Sequence, residues 1–148
     1  MRLTVHMNEH RVGWLIYDSF ADQFEFAYDD AWVASPVGFP LAPSLPLALS
    51  RQSNEAHSRS VRIFFENLLP EGEALDCAAL MYSVSKNNVA ALLAVLGQET
   101  AGAIRIVPER ASELPECDAT PVLRHVRQAE LSQRVRERAT LPFAIWDQ

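Results

Sequence analysis

The chain has 148 residues, 49% of them hydrophobic, with a formal net charge of −6 and a pI near 5.2. That length and apolar share suit one globular domain with a sizeable core. The acidic balance argues against a general phosphate-binding surface, because nucleic-acid affinity rests on clustered Lys and Arg, and only Arg124 to Arg138 is locally basic.

The chain opens on MRLTVHMNEH, which lacks the apolar core and small-residue cleavage site of a signal peptide. Its first thirty residues alternate with period two: Leu3, Val5 and Met7, then Val12, Trp14 and Ile16, then Phe24, Phe26 and Tyr28. Such alternation marks half-buried strands. The polar breaks NEHR and DSFADQ suit short hairpins, so the pattern predicts an antiparallel meander over residues 2–7, 11–17 and 23–28.

From Asp29 to Leu49 the character changes, with Pro36, Pro40, Pro43 and Pro46 among Trp32, Phe39, Leu41, Leu45 and Leu47. Prolines at this density prevent continuous helix and interrupt strand ladders, yet the segment is too apolar for a solvated linker and is expected to lie against the fold. Ser50 to Ser60 reads as a polar, mobile connection.

Helical patterns follow. Val61, Phe64, Phe65 and Leu68 stand at i, i+3, i+4 and i+7, with Leu69 extending the stripe and Ile63 and Asn67 pointing away from it. Pro70 disfavours a helical Leu69 and is suited to open a second helix, with Glu71 and Glu73 in its favourable first turn and Leu75, Ala78, Ala79 and Tyr82 on its buried side. A third helix is expected from a Ser85 cap to Gly97, buried through Val89, Leu92, Leu93 and Leu96. Ala101 to Val107 reads as a strand closed by Pro108, Glu109 to Pro121 as an acidic connection, and Gln128 to Ala139 as a surface helix with a narrow stripe of Leu131 and Val135. The predicted fold is therefore α+β: a small antiparallel sheet from the meander plus a strand at 103–107, packed with three to four helices. The whole of 1–148 forms one domain, divided into 1–49, 61–107 and a C-terminal part, 122–148.

Little in the chain carries chemistry. Phosphoryl transfer needs a glycine-rich phosphate cradle, a phosphate-binding lysine and acidic metal ligands, whereas the chain has five glycines in no such motif and Lys86 as its one lysine. His6 and His10 share a spacing of four, but in a hairpin pattern this does not make a common metal-binding face. Cys77 and Cys117, 40 residues apart, form neither a disulfide framework nor a metal cluster and fit a reducing cytoplasm. Ser44 and Ser83 lie outside any nucleophile elbow. Glu66, Glu71, Glu73 and Asp76 are explained by helix capping and solvation rather than by acid–base chemistry. No catalytic, cofactor or metal residue is assigned, and no membrane or direct nucleic-acid partner is expected. Phe64 is placed in the core, where truncation to Ala costs about 3–5 kcal/mol. Trp32, Phe39, Pro40, Leu41, Leu45, Pro46, Ile63 and Asn67 fall outside the helical core stripes and are the candidate partner contacts; Trp is enriched at such surfaces.

The ordered blocks MNEHRVGWL, FAYDDAW with FPLAPSLPL, VRIFFENLLPEG and LLAVLGQETAGAIRIVPE resemble the N-terminal domain of HipA-type serine/threonine kinase toxins, including HipS-like versions encoded apart from the kinase. VRQAELSQRVRERATLPFAIWDQ resembles the family's segment just before the kinase core. The resemblance implies a bacterial toxin–antitoxin module, a HipA-type kinase core as partner in cis or as a separate chain, and a HipB-like helix-turn-helix antitoxin. It places the catalytic loop and later aspartates after this domain, so no family catalytic residue maps onto this sequence. Two roles are then expected: a non-catalytic module that packs on and regulates the kinase core, or a stand-alone antitoxin-like inhibitor of a separately encoded kinase.

Overall fold

A computed structural model describes residues 1–48, 54–100, 102–109 and 125–137. Strands β1 (Arg2–Met7), β2 (His10–Asp18) and β3 (Gln23–Tyr28) form the predicted meander. Helices α1 (Asp30–Ala34), α2 (Asn54–Glu66), α3 (Gly72–Met81) and α4 (Val89–Leu96) precede β4 (Ile104–Pro108), and α5 (Gln128–Glu137) follows. The antiparallel sheet has the order β3-β2-β1-β4, so the last strand returns to pair with the first. The α+β expectation holds.

Hairpin chemistry explains the meander. Asn8 turns the first hairpin at φ 53°, a left-handed conformation that Asn tolerates better than most residues. In the second, the Asp18 carboxylate accepts the Phe20 N–H at 2.9 Å, and Asp22 takes a φ of 50°.

The second strand departs from the predicted alternation. Val5 faces Gly13 while His6 faces Arg11, so Val12 is an extra residue opposite the Val5–His6 step. This bulge moves the alternation out of phase. Val12 and Leu15 are buried, whereas Trp14 and Ile16 lie on the sheet's other face and are only half-buried. Leu3 pairs with Leu15, Leu15 with Phe26, and Val5 with Ile106, which builds a continuous apolar face. Val61, Phe65, Leu69, Val89, Leu92 and Leu93 from the helical region join it in one core, where the Phe26 and Phe65 rings lie 5.4 Å apart.

Both sheet edges are engaged by other elements. Phe24 N–H donates to Ser58 Oγ at 2.8 Å, and Ile106 N–H donates to the Gly97 carbonyl at 2.6 Å. The first bond shows why α2 begins earlier than expected: within the segment 50–60, read as mobile, residues 54–60 are helical because Ser58 is buried against β3. Gly97 ends α4 as predicted, but through close approach rather than a left-handed turn. A Cβ there would lie 2.3 Å from the Leu93 carbonyl oxygen and 2.6 Å from that of Ile106.

Other local expectations shift by a residue or more. Helix α1 interrupts the proline-bearing segment, because Asp29 accepts the Ala31 N–H at 2.9 Å and caps five residues that contain no proline. Pro70 precedes α3 instead of opening it; Glu71 occupies the capping position, and Gly72 adopts φ 59°. Asn88, whose side chain accepts the Ala91 N–H, caps α4 in place of Ser85. Tyr82 lies at the exposed end of α3 and is not part of its buried side. Phe64 is half-buried while its neighbour Phe65 is fully buried. Residues 138–139 of the predicted terminal helix and most of the 109–121 connection lie outside the described residues.

Candidate interaction surface

The proline-bearing segment is tied down by two aromatic side chains. The Tyr28 hydroxyl donates to the Leu45 carbonyl at 2.6 Å and accepts the Leu41 N–H at 2.8 Å. Trp32 Nε1–H donates to the Phe39 carbonyl at 3.0 Å, with the two rings 5.5 Å apart. Burial pushes the Tyr28 hydroxyl above its ordinary pKa, with the Leu41 N–H opposing, so it keeps its proton and remains a donor.

Behind this segment lies a charged anchor. Arg11 Nε donates to Asp29 at 2.5 Å, and its guanidinium also stacks over Trp14 at 4.7 Å. Arg2 covers the same indole at 5.0 Å and pairs with Glu109 at 3.1 Å. Desolvation tends to raise the Asp29 pKa, but hydrogen bonds from Arg11 and the Ala31 N–H, with the Arg11 charge, outweigh it and hold the carboxylate below its usual range.

These anchors divide the eight candidate contacts. Trp32, at 3% exposure, and Leu45 are core residues and present no free face, which removes both from the candidate partner contacts. The indole is buried because its N–H finds an internal acceptor. Leu41 is half-buried against the core. Phe39 (46% exposed), Pro40 and Pro46 remain accessible on the proline-bearing segment, and Ile63 (53% exposed) lies on the outer side of α2 with exposed Asn67 just past its end. The structure does not bring these two sets into one contact. Val33 and Val37 extend the first patch, and Leu80 and Met81 form another at the end of α3. Alternation and helical period did not single these four out; Val37, between Pro36 and Gly38, had the clearest signal.

Glu66, Glu71, Glu73 and Asp76 are exposed, and Asp76 is bridged to Lys86 at 2.8 Å. Together with Leu69, Pro70, Leu75, Val89 and Leu92, the first two border a groove of about 330 Å³ at the joint between α2 and α3. Among the described residues, no three His, Cys, Asp or Glu side chains come together as metal ligands, and no helix is long and apolar enough to cross a membrane.

The sequence profile of the HipA N-terminal domain matches residues 3–107, from β1 to β4. The chain is 37% identical over 147 residues to the serine/threonine-protein kinase toxin HipA of Shewanella oneidensis, covering 99% of this chain and 31% of that protein. It is 34% identical over 125 residues to the putative kinase Y4mE of Sinorhizobium fredii, covering 81% of this chain and 29% of the relative. Among solved structures, the complex of Shewanella oneidensis HipA, HipB and operator DNA contains a chain similar to this one, with a TM-score of 0.69 and 36% identity over 99% of this chain and 32% of that one. The chain thus spans about a third of the length of these relatives, and the matched third is the N-terminal domain rather than the kinase core. On these grounds the chain belongs to the HipA N-terminal domain family.

Proposed function

We propose that this chain is the non-catalytic N-terminal module of a HipA-type toxin kinase, binding the kinase core and regulating it within a toxin–antitoxin system. The observation that carries this reading is the match of β1 to β4 to the N-terminal domain of proteins about three times as long. Exposed Phe39 and Ile63 support it, since apolar side chains outside a satisfied core suit a partner surface. A HipB-like antitoxin is the second expected partner, because the similar Shewanella chain is found in complex with HipB.

The test is co-expression of the 148-residue chain with the kinase core of a HipA relative, followed by co-purification and an autophosphorylation assay. A stable complex with altered kinase activity is expected. Failure of the two chains to associate, with both folded, would refute the reading.

A further inference from the structure

His6 lies where the last strand of the family-matched region closes against the first. On β1 it faces Arg11 of β2 on one side and Arg105 of β4 on the other, so the three side chains form a row across the sheet. Its Nδ1 is buried and has no hydrogen-bond partner among the described residues. A neutral ring leaves one nitrogen unsatisfied there, whereas an imidazolium would bury a charged N–H without an acceptor between two guanidiniums.

The surrounding acids are turned elsewhere. Asp29 is bonded to Arg11 Nε and to the Ala31 N–H, Glu109 pairs with Arg2, and Glu9 in the hairpin turn is exposed to water. His10, opposite Met7, has its ring 6.4 Å from that of Trp32. The backbone ladder is also interrupted at this point, because the bulge leaves Val12 opposite the Val5–His6 step. Beyond it the seam is held by the pairs His6–Arg105 and Met7–Ile104, and by the Arg105 guanidinium, which donates to the Asn8 carbonyl at 3.0 Å.

We propose that His6 is a proton-operated catch, whose protonation opens the end of the sheet where Met7 and Ile104 close β1 against β4 and leaves the rest of the fold standing. Opening gives both ring N–H groups water to bond and separates the imidazolium from Arg105. It uncovers Met7 and Ile104, which pack on the core, and loosens β4, the strand from which the chain runs on to α5. The sign follows from linkage. In the closed sheet the His6 pKa is held below its ordinary 6.5, first by burial and then by Arg105 and Arg11, so the open form takes up the proton more readily and gains population as pH falls below 6.5. This inference does not depend on kinase binding.

Hydrogen-exchange mass spectrometry of the full chain at pH 7.5 and 5.5, with rates corrected for the intrinsic pH dependence of exchange, tests it, since local opening is then resolved from global unfolding. Protection in peptides covering residues 5–10 and 103–107 is expected to fall several-fold at pH 5.5. The ceiling is about tenfold, because an open His6 titrating at 6.5 is only one pH unit above the lower condition. Peptides from β3 and α2 should keep their protection. His6→Gln, neutral at both pH values, should remove the difference, and His6→Asn is the second variant if glutamine disturbs the strand. Equal losses in all peptides would overturn the proposal, as would a loss that persists in the variants or protection unchanged between the two conditions. A His6 ring that titrates at 6.5 or above in the folded wild type, read by NMR, would overturn it without any variant.

Discussion

Arg11 serves two partners at once, a buried carboxylate and an aromatic face, and Asp29 in turn caps α1. Removing the guanidinium leaves Asp29 short of a donor and takes one of the two cations off Trp14, so Arg11→Ala should destabilise the fold by about 1–3 kcal/mol, read from denaturant melts. A change below about 0.5 kcal/mol would mean that water replaces the pair. The pH dependence belongs to the same neighbourhood. Asp29 has a folded pKa below 3.8, so its stabilisation is present above that value and is lost as pH falls through the folded pKa. His6 has a buried Nδ1 without a hydrogen-bond partner among the described residues, and its pKa is lowered from 6.5 by desolvation and then by Arg105 and Arg11. Between its folded pKa and 6.5 the unfolded chain binds the proton more readily, so stability falls as pH drops below 6.5. Melting temperatures at pH 7.5 and 5.5 should therefore differ for the wild type and differ less for His6→Gln.

Elements meet where backbones approach closely, and there small changes are costly. The α4–β4 junction has no room for a methyl group at Gly97, because the obstructing atoms are mainly backbone of Leu93 and Ile106. Gly97→Ala should therefore cost about 1–3 kcal/mol in spite of alanine's better helix propensity. On α2 the two adjacent phenylalanines separate: Phe65→Ala should cost about 3–5 kcal/mol and the half-buried Phe64→Ala clearly less, with equal losses in urea melts arguing against the packing described. This corrects the larger figure that helical period alone suggests for Phe64. Periodicity made the strands and the α2 and α4 stripes legible because burial on one face imposes it directly. The phase of β2 was not legible, because the bulge at Val12 is set by how β2 pairs with β1 and not by the pattern of β2 itself. The first turns of α2 were hidden for a related reason: their polar residues become helical through a tertiary bond from β3 to Ser58.

At the scale of the whole molecule, surface and core make different demands on the same segments. The order of the sequence blocks was enough to read the family, while two of the eight candidate contacts, Trp32 and Leu45, are buried, because local pattern says nothing of internal acceptors such as the Phe39 and Leu45 carbonyls, which tie down Trp32 and the Tyr28 hydroxyl. Phe39 is joined through Trp32 to α1 beside β2, and Ile63 rides on α2 beside β3. Ile63→Ser should move stability by less than about 0.5 kcal/mol, whereas Phe39→Ser also gives up the ring contact with Trp32 and should cost about 1 kcal/mol while leaving the chain folded. If both contact a HipA-type kinase core, each should weaken its binding by about tenfold, and the double variant reports whether one partner element bridges them. Independent contacts give additive losses in titration calorimetry; a coupling above about 0.5 kcal/mol indicates a shared partner element. Leu45→Ala is the contrasting case, because a buried leucine should lower stability by about 2–5 kcal/mol whatever the partner does. Unchanged affinity in both serine variants, with melts intact, would move the kinase contact to the other exposed patch, Leu80 and Met81 at the end of α3.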